Sequence, residues 1–198
     1  MTKSEIIRRA CSLACSTGLD EMSISTLAAG CDLRKSSLYS HFSSKQDIID
    51  SVLEYCAKTL IGEIDTLRPE GSDALTGLGD TAYFLYDIFS QSDCGTCYRL
   101  IQSEKLRNLK AAETAQRITN MLTARVEVLL DRLSNKGKVI VEDTRTAAVF
   151  FCDGIENSIS RFLMRQARGE HWDEFAWEVD RLCEGFCALI DAERISTR

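Results

Sequence analysis

Hydrophobic residues recur at every third or fourth position through most of the chain, which is the spacing typical of α-helices. Between residues 4 and 17 one face is formed at i, i+4, i+7, i+8 and i+11 by Ile6, Ala10, Leu13, Ala14 and Thr17. Gly18 then stands where a left-handed glycine commonly ends a helix. The run KVIVED at 138–143 is too short and isolated to form a sheet. The pattern predicts an all-α fold of about nine helices.

Residues that start or stop helices divide this pattern into elements. Ser23 is the expected N-cap of the second helix. Ser43 or Ser44 can cap the fourth, and Ser43 with Gln46 fits a capping box there. Residues 68–80 hold the one proline and three glycines, which favours a loop or a loosely started helix. Further breaks are expected at the sequences SDCG, NKGK and RGEH. The predicted helices cover 4–17, 24–30, 33–42, about 44–67, 80–91, 96–109, 111–134, 144–168 and 172–194.

The composition is that of a protein with a sizeable core and no membrane anchor. The 198 residues are 44% hydrophobic, enough for one or two compact domains. The N-terminal sequence MTKSEIIRRACSL lacks the apolar run of a signal peptide, and no later segment approaches the ~20 apolar residues of a membrane span. We therefore expect a cytoplasmic protein. Its nine scattered cysteines do not resemble a disulfide framework, so we interpret them as reduced core thiols.

The negative charge is unevenly distributed along the chain. The formal net charge is −6, which argues against a protein that coats nucleic acid through bulk charge. Residues 1–48 carry six Lys/Arg and five Asp/Glu, whereas residues 49–198 carry 18 and 25. The N-terminal part is therefore free to approach a polyanion.

Residues 24–42 have the pattern of a helix-turn-helix, whose second helix can lie in the DNA major groove. Ala28 is small where the two helices would cross closely, and Asp32 stands where the turn requires a left-handed residue. The expected interior consists of Leu27, Cys31, Leu33, Leu38 and Phe42. The remaining side chains of 34–45 include three cations and several hydroxyl groups. This combination predicts a DNA-binding surface.

The stretch SISTLAAGCDLRKSSLYSHFSSKQDII, residues 23–49, resembles the DNA-binding domain of the tetracycline-repressor (TetR) family. The family's recognition helix typically ends in Leu-Tyr-x-His-Phe followed by x-Ser-Lys, which is present here at 38–45. Three positions depart from the family pattern, because Asp32 replaces a glycine, Arg34 a serine cap and Ser43 a proline. Without that cap, the start of the recognition helix is expected to be frayed.

The resemblance implies a DNA-binding transcriptional regulator in two parts. Residues 1–47 would form the three-helix helix-turn-helix domain, joined by a long helix to a helical effector-binding and dimerisation domain at 48–198. A small, largely apolar ligand in the second part would release the protein from its operator, so repression is the implied activity. The expected contacts to bases and phosphates come from Thr26, Arg34, Lys35, Ser36, Ser37, Tyr39, His41 and Lys45.

A homodimer on a palindromic operator is expected, because a single helix-turn-helix makes few base contacts. Two C-terminal apolar stripes could pair across a two-fold axis as a four-helix bundle. The candidate interface residues are Phe151, Ile155, Ile159, Phe162, Phe175, Val179, Leu182 and Phe186. The candidates for the ligand pocket are Tyr55, Tyr83, Phe84, Tyr86, Phe89, Tyr98, Met121 and Phe151.

Two other classes of protein remain open from the sequence. The CxxC pair Cys94 and Cys97 would suit a redox- or electrophile-sensing regulator of the same fold. A helical module that binds another protein would also fit the acidic C-terminal part. With no second CxxC and no strand before this one, neither a zinc site nor a thioredoxin-like enzyme is indicated. The sequence shows no convincing catalytic group, so we expect no enzyme activity, no cofactor and no metal.

Overall fold

The computed structural model describes residues 1–90, 92–169 and 173–196, with only the backbone for Ser92, 173–176 and 191–196. Within these residues the secondary structure is helical, and the predicted all-α fold is confirmed. The elements are α1 (Lys3–Thr17), α2 (Ile24–Gly30), α3 (Lys35–Leu38), α4 (Lys45–Thr66), α5 (Ala74–Ser90), α6 (Ser92–Glu104), α7 (Leu109–Asn135), α8 (Thr144–Ala167) and α9 (Asp173–Ser196). None of the described helices is long and apolar enough to cross a bilayer.

Short polar side chains start the N-terminal helices. The predicted cap of α2 is confirmed, because the Ser23 hydroxyl accepts the Thr26 N–H at 3.0 Å. At α4 the predicted pairing of Ser43 with Gln46 is wrong. The alternative cap, Ser44, is confirmed, because its hydroxyl accepts the Asp47 N–H at 3.1 Å, and Asp47 in turn accepts the Ser43 N–H at 2.8 Å. A carboxylate in the first helical turn also interacts favourably with the helix dipole, which favours Asp47 in this role.

Two predicted breaks are wrong because helices continue through glycine. Cys94 and Gly95 lie inside α6 rather than in a loop. Likewise α5 begins at Ala74 rather than near residue 80, with Asp73 accepting the Thr76 N–H at 2.9 Å. Gly77 in α5 has a packing reason, since a Cβ there would lie 2.8 Å from a methyl group of Leu129.

The chain divides into two compact units. Unit 1 comprises residues 1–63 and 91–118, and unit 2 comprises residues 64–90 and 119–198. In unit 1, α1 packs against α6 and α2, and α2 packs against α3. The buried Glu104 joins distant parts of this unit by accepting the Leu19 N–H at 3.3 Å and pairing with Arg107 at 3.4 Å.

Unit 2 is built around α5, α8 and α9, which pack against one another. Aromatic side chains fill its interior: the Tyr86 and Phe162 rings lie 5.2 Å apart, and those of Phe151 and Phe186 lie 5.3 Å apart. At its surface the Tyr83 hydroxyl donates to Asp180 at 2.6 Å. This hydrogen bond to a carboxylate, with burial, raises the pKa of Tyr83 to about 12.

Positive φ angles mark the ends of α1 and α2. Gly18 has φ of +91° as expected, but its ψ of 154° lies outside the left-handed helical region. Asp32 has φ of +58° and is the one non-glycine residue with positive φ in the described part of the chain. The prediction of a left-handed residue at Asp32 is therefore confirmed.

Asp32→Val should destabilise the protein by about 1–2 kcal/mol, because a β-branched residue is disfavoured at positive φ. Asp32→Gly is the matched control and should not destabilise it, since glycine adopts this conformation freely. Urea unfolding followed by circular dichroism measures both variants. Equal free energies of unfolding for Asp32→Val and the wild type would contradict the prediction.

Candidate nucleic-acid interface

A tight turn connects the two helices of the predicted helix-turn-helix. The N–H of Leu33 donates back to the Ala28 carbonyl at 2.9 Å, and Asp32 supplies the positive φ between them. The second helix is shorter than the predicted 33–42, because α3 covers Lys35–Leu38 and is followed by turns. Leu38 continues to organise these turns, since its carbonyl accepts the His41 and Phe42 N–H groups.

Buried side chains fix the orientation of α3. Leu27, Ala28, Leu38 and Phe42 are each at most 3% exposed, as expected for the interior. Cys31 is also buried, whereas Leu33 is only half-buried and contributes less than predicted. The opposite side of α3 and the following turn therefore face outward.

The outward side carries most of the predicted DNA-binding residues. Arg34, Lys35, Ser36, Tyr39 and His41 are exposed, with Tyr39 exposed to 52%. Ser37 is half-buried. Arg34 makes no side-chain hydrogen bond to the start of α3, which confirms the predicted absence of a cap there.

Two predicted contact residues also have partners within the protein. The Lys45 amine donates to the Asp20 carbonyl at 2.5 Å and is half-buried, so it connects the start of α4 to the loop before α2. The Thr26 hydroxyl lies 2.7 Å from that of Ser23, although Thr26 is exposed. Both side chains are therefore held in defined positions.

The first helix adds cations that the sequence interpretation did not assign to the site. The Lys3 amine lies 4.8 Å from the centre of the Phe42 ring. Burial raises the pKa of the Cys31 thiol, and the nearby Arg9 guanidinium opposes that rise. Arg9 is exposed, and its effect on Cys31 places it within electrostatic range of the α2–α3 turn. The Arg8-Arg9 pair preceding the helix-turn-helix was the signal available in the sequence.

The residues predicted for a ligand pocket do not share one unit. Tyr55 and Tyr98 belong to unit 1, and Tyr98 is fully buried there. The others belong to unit 2: Tyr83, Phe84, Tyr86, Phe89, Met121 and Phe151. Of these, Phe89 and Phe151 are buried within the chain. The pocket remains a prediction.

Most residues predicted for the dimer interface are covered by their own chain. Phe151, Ile155, Ile159, Phe162 and Val179 are each at most 6% exposed, and Leu182 and Phe186 are half-buried. The side chain of Phe175 lies outside the described residues. An apolar stripe shows that a helix buries one face, but it does not distinguish the protein's own core from a partner. Among the described side chains of the same two helices, the large exposed apolar residues are Val149, Phe150, Met164, Trp177 and Leu189.

The CxxC pair lies in the interior of unit 1. Cys94 is 5% exposed and Cys97 is fully buried. Burial raises the pKa of the Cys94 thiol to about 11. The thiolate, which is the reactive form, is therefore scarce at neutral pH.

Similar proteins share both the N-terminal segment and the fold. Residues 6–52 match the family model for bacterial regulatory proteins of the tetR family. The nucleoid occlusion factor SlmA of Vibrio atlanticus is 22% identical over 198 residues, covering 96% of this chain and 94% of SlmA. A TetR-family transcriptional regulator from Mesorhizobium loti aligns with a TM-score of 0.65 and 21% identity, over 96% of this chain and 98% of that structure.

A structure with a bound ligand shows the same fold. FadR from Bacillus subtilis in complex with stearoyl-CoA aligns with a TM-score of 0.66 and 16% identity, over 94% of this chain and 98% of FadR. The family match spans most of α1, all of α2 and α3 and the start of α4, and the structural matches extend over nearly the whole chain. Residues 6–52 are therefore similar to the N-terminal segment of tetR-family regulators, and the described chain has the fold of the TetR-family structures it matches.

Proposed function

We propose that this protein is a cytoplasmic repressor that binds a palindromic operator as a homodimer and is released by a small, largely apolar ligand. Residues 1–47 read the DNA, and residues 48–198 bind the ligand and the second protomer. The observation that carries the proposal is the outward side of α3, where cationic and hydroxyl side chains are exposed opposite the buried Leu38 and Phe42.

The types of side chain determine the proposed contacts. Lys35 and Ser36, with Arg34 and Ser37, lie at the start of α3, from which short donors and cations reach base edges and flanking phosphates. Tyr39 and His41 follow on the same outward side and donate to phosphate oxygens. Thr26 and Lys45 complete the phosphate contacts from fixed positions, since both are oriented by partners within the protein.

The proposal of a homodimer is supported by exposed apolar surface on α8 and α9. Phe150 is 70% exposed and Leu189 is 72% exposed, and Met164 and Trp177 are more than half exposed. Large exposed apolar side chains are typical of surfaces that bind another protein. The interface proposed here therefore uses these four residues, with Leu182 and Phe186 at its edge.

The proposal of an apolar effector is supported by the aromatic content of unit 2. We assign the ligand to the candidates within that unit, where Tyr86, Phe89 and Phe151 supply apolar surface. FadR from Bacillus subtilis, which has the same fold, binds stearoyl-CoA in its solved complex. A ligand that binds one conformation of the protein more tightly shifts the population toward it, and so changes the affinity for DNA.

Lys35→Ala should weaken operator binding by about tenfold or more, because it removes a cation from the proposed DNA-binding surface of each protomer. Tyr39→Phe removes only a hydroxyl group and should weaken binding less. Each lost cation–phosphate contact should also reduce the slope of log affinity against log salt by about 0.9. Fluorescence anisotropy with the DNA upstream of the gene, at several salt concentrations, measures both effects.

Lys58→Ala is the matched control for this experiment, because Lys58 is an exposed lysine on α4 outside the proposed surface. It should leave affinity and salt dependence unchanged. Wild-type binding by both Lys35→Ala and Tyr39→Phe would exclude the proposed surface.

Phe150→Asp should convert the homodimer to a monomer, because it places a charge in the proposed apolar interface. Light scattering at micromolar concentration measures the change in mass. Val128→Asp is the control, since Val128 is a 67% exposed apolar residue on α7. A monomeric wild type, or a Phe150→Asp variant that stays dimeric, would contradict the assignment.

A long-chain acyl ligand should stabilise the free protein and weaken its binding to DNA. Stearoyl-CoA is the probe, and ligand at 100 times its Kd should add about 2.7 kcal/mol to the free energy of unfolding. Thermal unfolding and operator titration test the two effects, with coenzyme A lacking the acyl chain as control. An equal rise in Tm with coenzyme A alone, or a rise without loss of operator affinity, would refute an apolar effector of this class.

A further inference from the structure

Three cysteine side chains from three helices meet inside unit 1. Cys11 lies on α1, Cys56 on α4 and Cys97 on α6, and their sulfur atoms all lie within 4.8 Å of one another. The Cys11 and Cys56 sulfurs are 3.5 Å apart. All three side chains are at most 2% exposed. We refer to them as the thiol triad.

We propose that the thiol triad binds a soft, thiophilic ion through three sulfur atoms, and that its preferred ligand is a trivalent metalloid of the arsenite class. This inference concerns a site within unit 1 and does not depend on the proposed operator or effector. It also differs from a sensor based on Cys94 and Cys97, because Cys94 is not part of the triad.

The separations of the sulfur atoms suit coordination of a single ion. A bond of about 2.3 Å to each sulfur, with angles between about 100° and 120°, places the sulfurs about 3.5–4.0 Å apart. The Cys11–Cys56 separation of 3.5 Å already lies in this range. No two of the three sulfurs are more than 4.8 Å apart, which exceeds the upper end of this range by less than 1 Å. Small side-chain rotations would therefore complete the site.

The donor atoms select the class of ion. Thiolates prefer soft ions, whereas magnesium and calcium require oxygen ligands. Among the described residues, the group contains sulfur ligands alone. A hard cation would therefore not be retained.

Charge favours a trivalent ion at this buried site. Three thiolates carry three negative charges, which a monovalent or divalent cation would leave partly uncompensated in the interior, at a high cost in free energy. Arsenite reacts without this cost: As(OH)3 and three thiols give As(SR)3 and three water molecules. Three As–O bonds and three S–H bonds break, three As–S bonds and three O–H bonds form, and no electron is transferred. The arsenic site formed in this way carries no net charge.

The test uses the reduced full-length protein with sodium arsenite, followed by native mass spectrometry. We expect a single adduct that gains one arsenic atom and loses three hydrogens. Arsenite should also raise the Tm of the wild type. An adduct that loses only two hydrogens and retains a hydroxyl group on arsenic would show two-sulfur binding and overturn the proposal.

Substitutions in the triad locate the site. Cys11→Ser, Cys56→Ser and Cys97→Ser should each reduce arsenite affinity at least tenfold, because two sulfurs remain. Cys→Ala variants provide a second set that avoids a buried hydroxyl group, and circular dichroism checks that each variant folds. Cys15→Ser and Cys187→Ser are the controls, since both residues are half-buried cysteines outside the triad.

Two further results would overturn the proposal. Unchanged arsenite binding by folded triad variants would show that these cysteines serve only as packing side chains. Competition with Zn²⁺, Cd²⁺ and Cu(I) tests the preference for a trivalent ion, and displacement of arsenite by a stoichiometric amount of any of them would overturn that preference.

Discussion

The burial of Leu38 and Phe42 is the interaction on which the proposed DNA-binding surface depends. The helix α3 has four residues, too few to be stable in isolation, and Arg34 provides no cap. Burying the two side chains contributes about 1.5–3 kcal/mol each, which is the main force holding this helix in place. Lys3 of α1 lies over the Phe42 ring and so covers the same anchor from another element. The outward residues of α3 are positioned by apolar contacts behind them.

Local signals made much of this part predictable from the sequence. The bounds of α2, the cap at Ser23 and the positive φ of Asp32 each depend on residues within a few positions of one another. The start of α5 was missed because glycines suggested a loop. The need for a glycine at position 77 comes mainly from Leu129, whose methyl groups occupy the space that a Cβ would require. Leu129 is 52 positions away in the sequence. Side-chain partners at such a distance cannot be read from a spacing pattern.

The same limit applies to the cysteines and to the apolar stripes of the C-terminal helices. The CxxC spacing indicated a pairing of Cys94 with Cys97. In the fold, Cys97 instead lies beside Cys11 and Cys56, each at least 41 positions away in the sequence. Periodicity identified Phe151 as facing an apolar environment, which is correct, but that environment is its own unit, where it meets Phe186. The adjacent Phe150 is the exposed residue, one position away on the helix.

Unit 1 is discontinuous in the sequence, and this has a consequence for how the protein can be divided. The first helix packs against α6, which comes from residues beyond 90, and the Leu19 N–H donates to the carboxylate of Glu104. A fragment ending near residue 63 would expose the apolar face of α1 and leave that donor without its acceptor. The proposed DNA-binding residues therefore lie in one stretch of sequence, whereas unit 1, to which they belong, is assembled from two separate stretches.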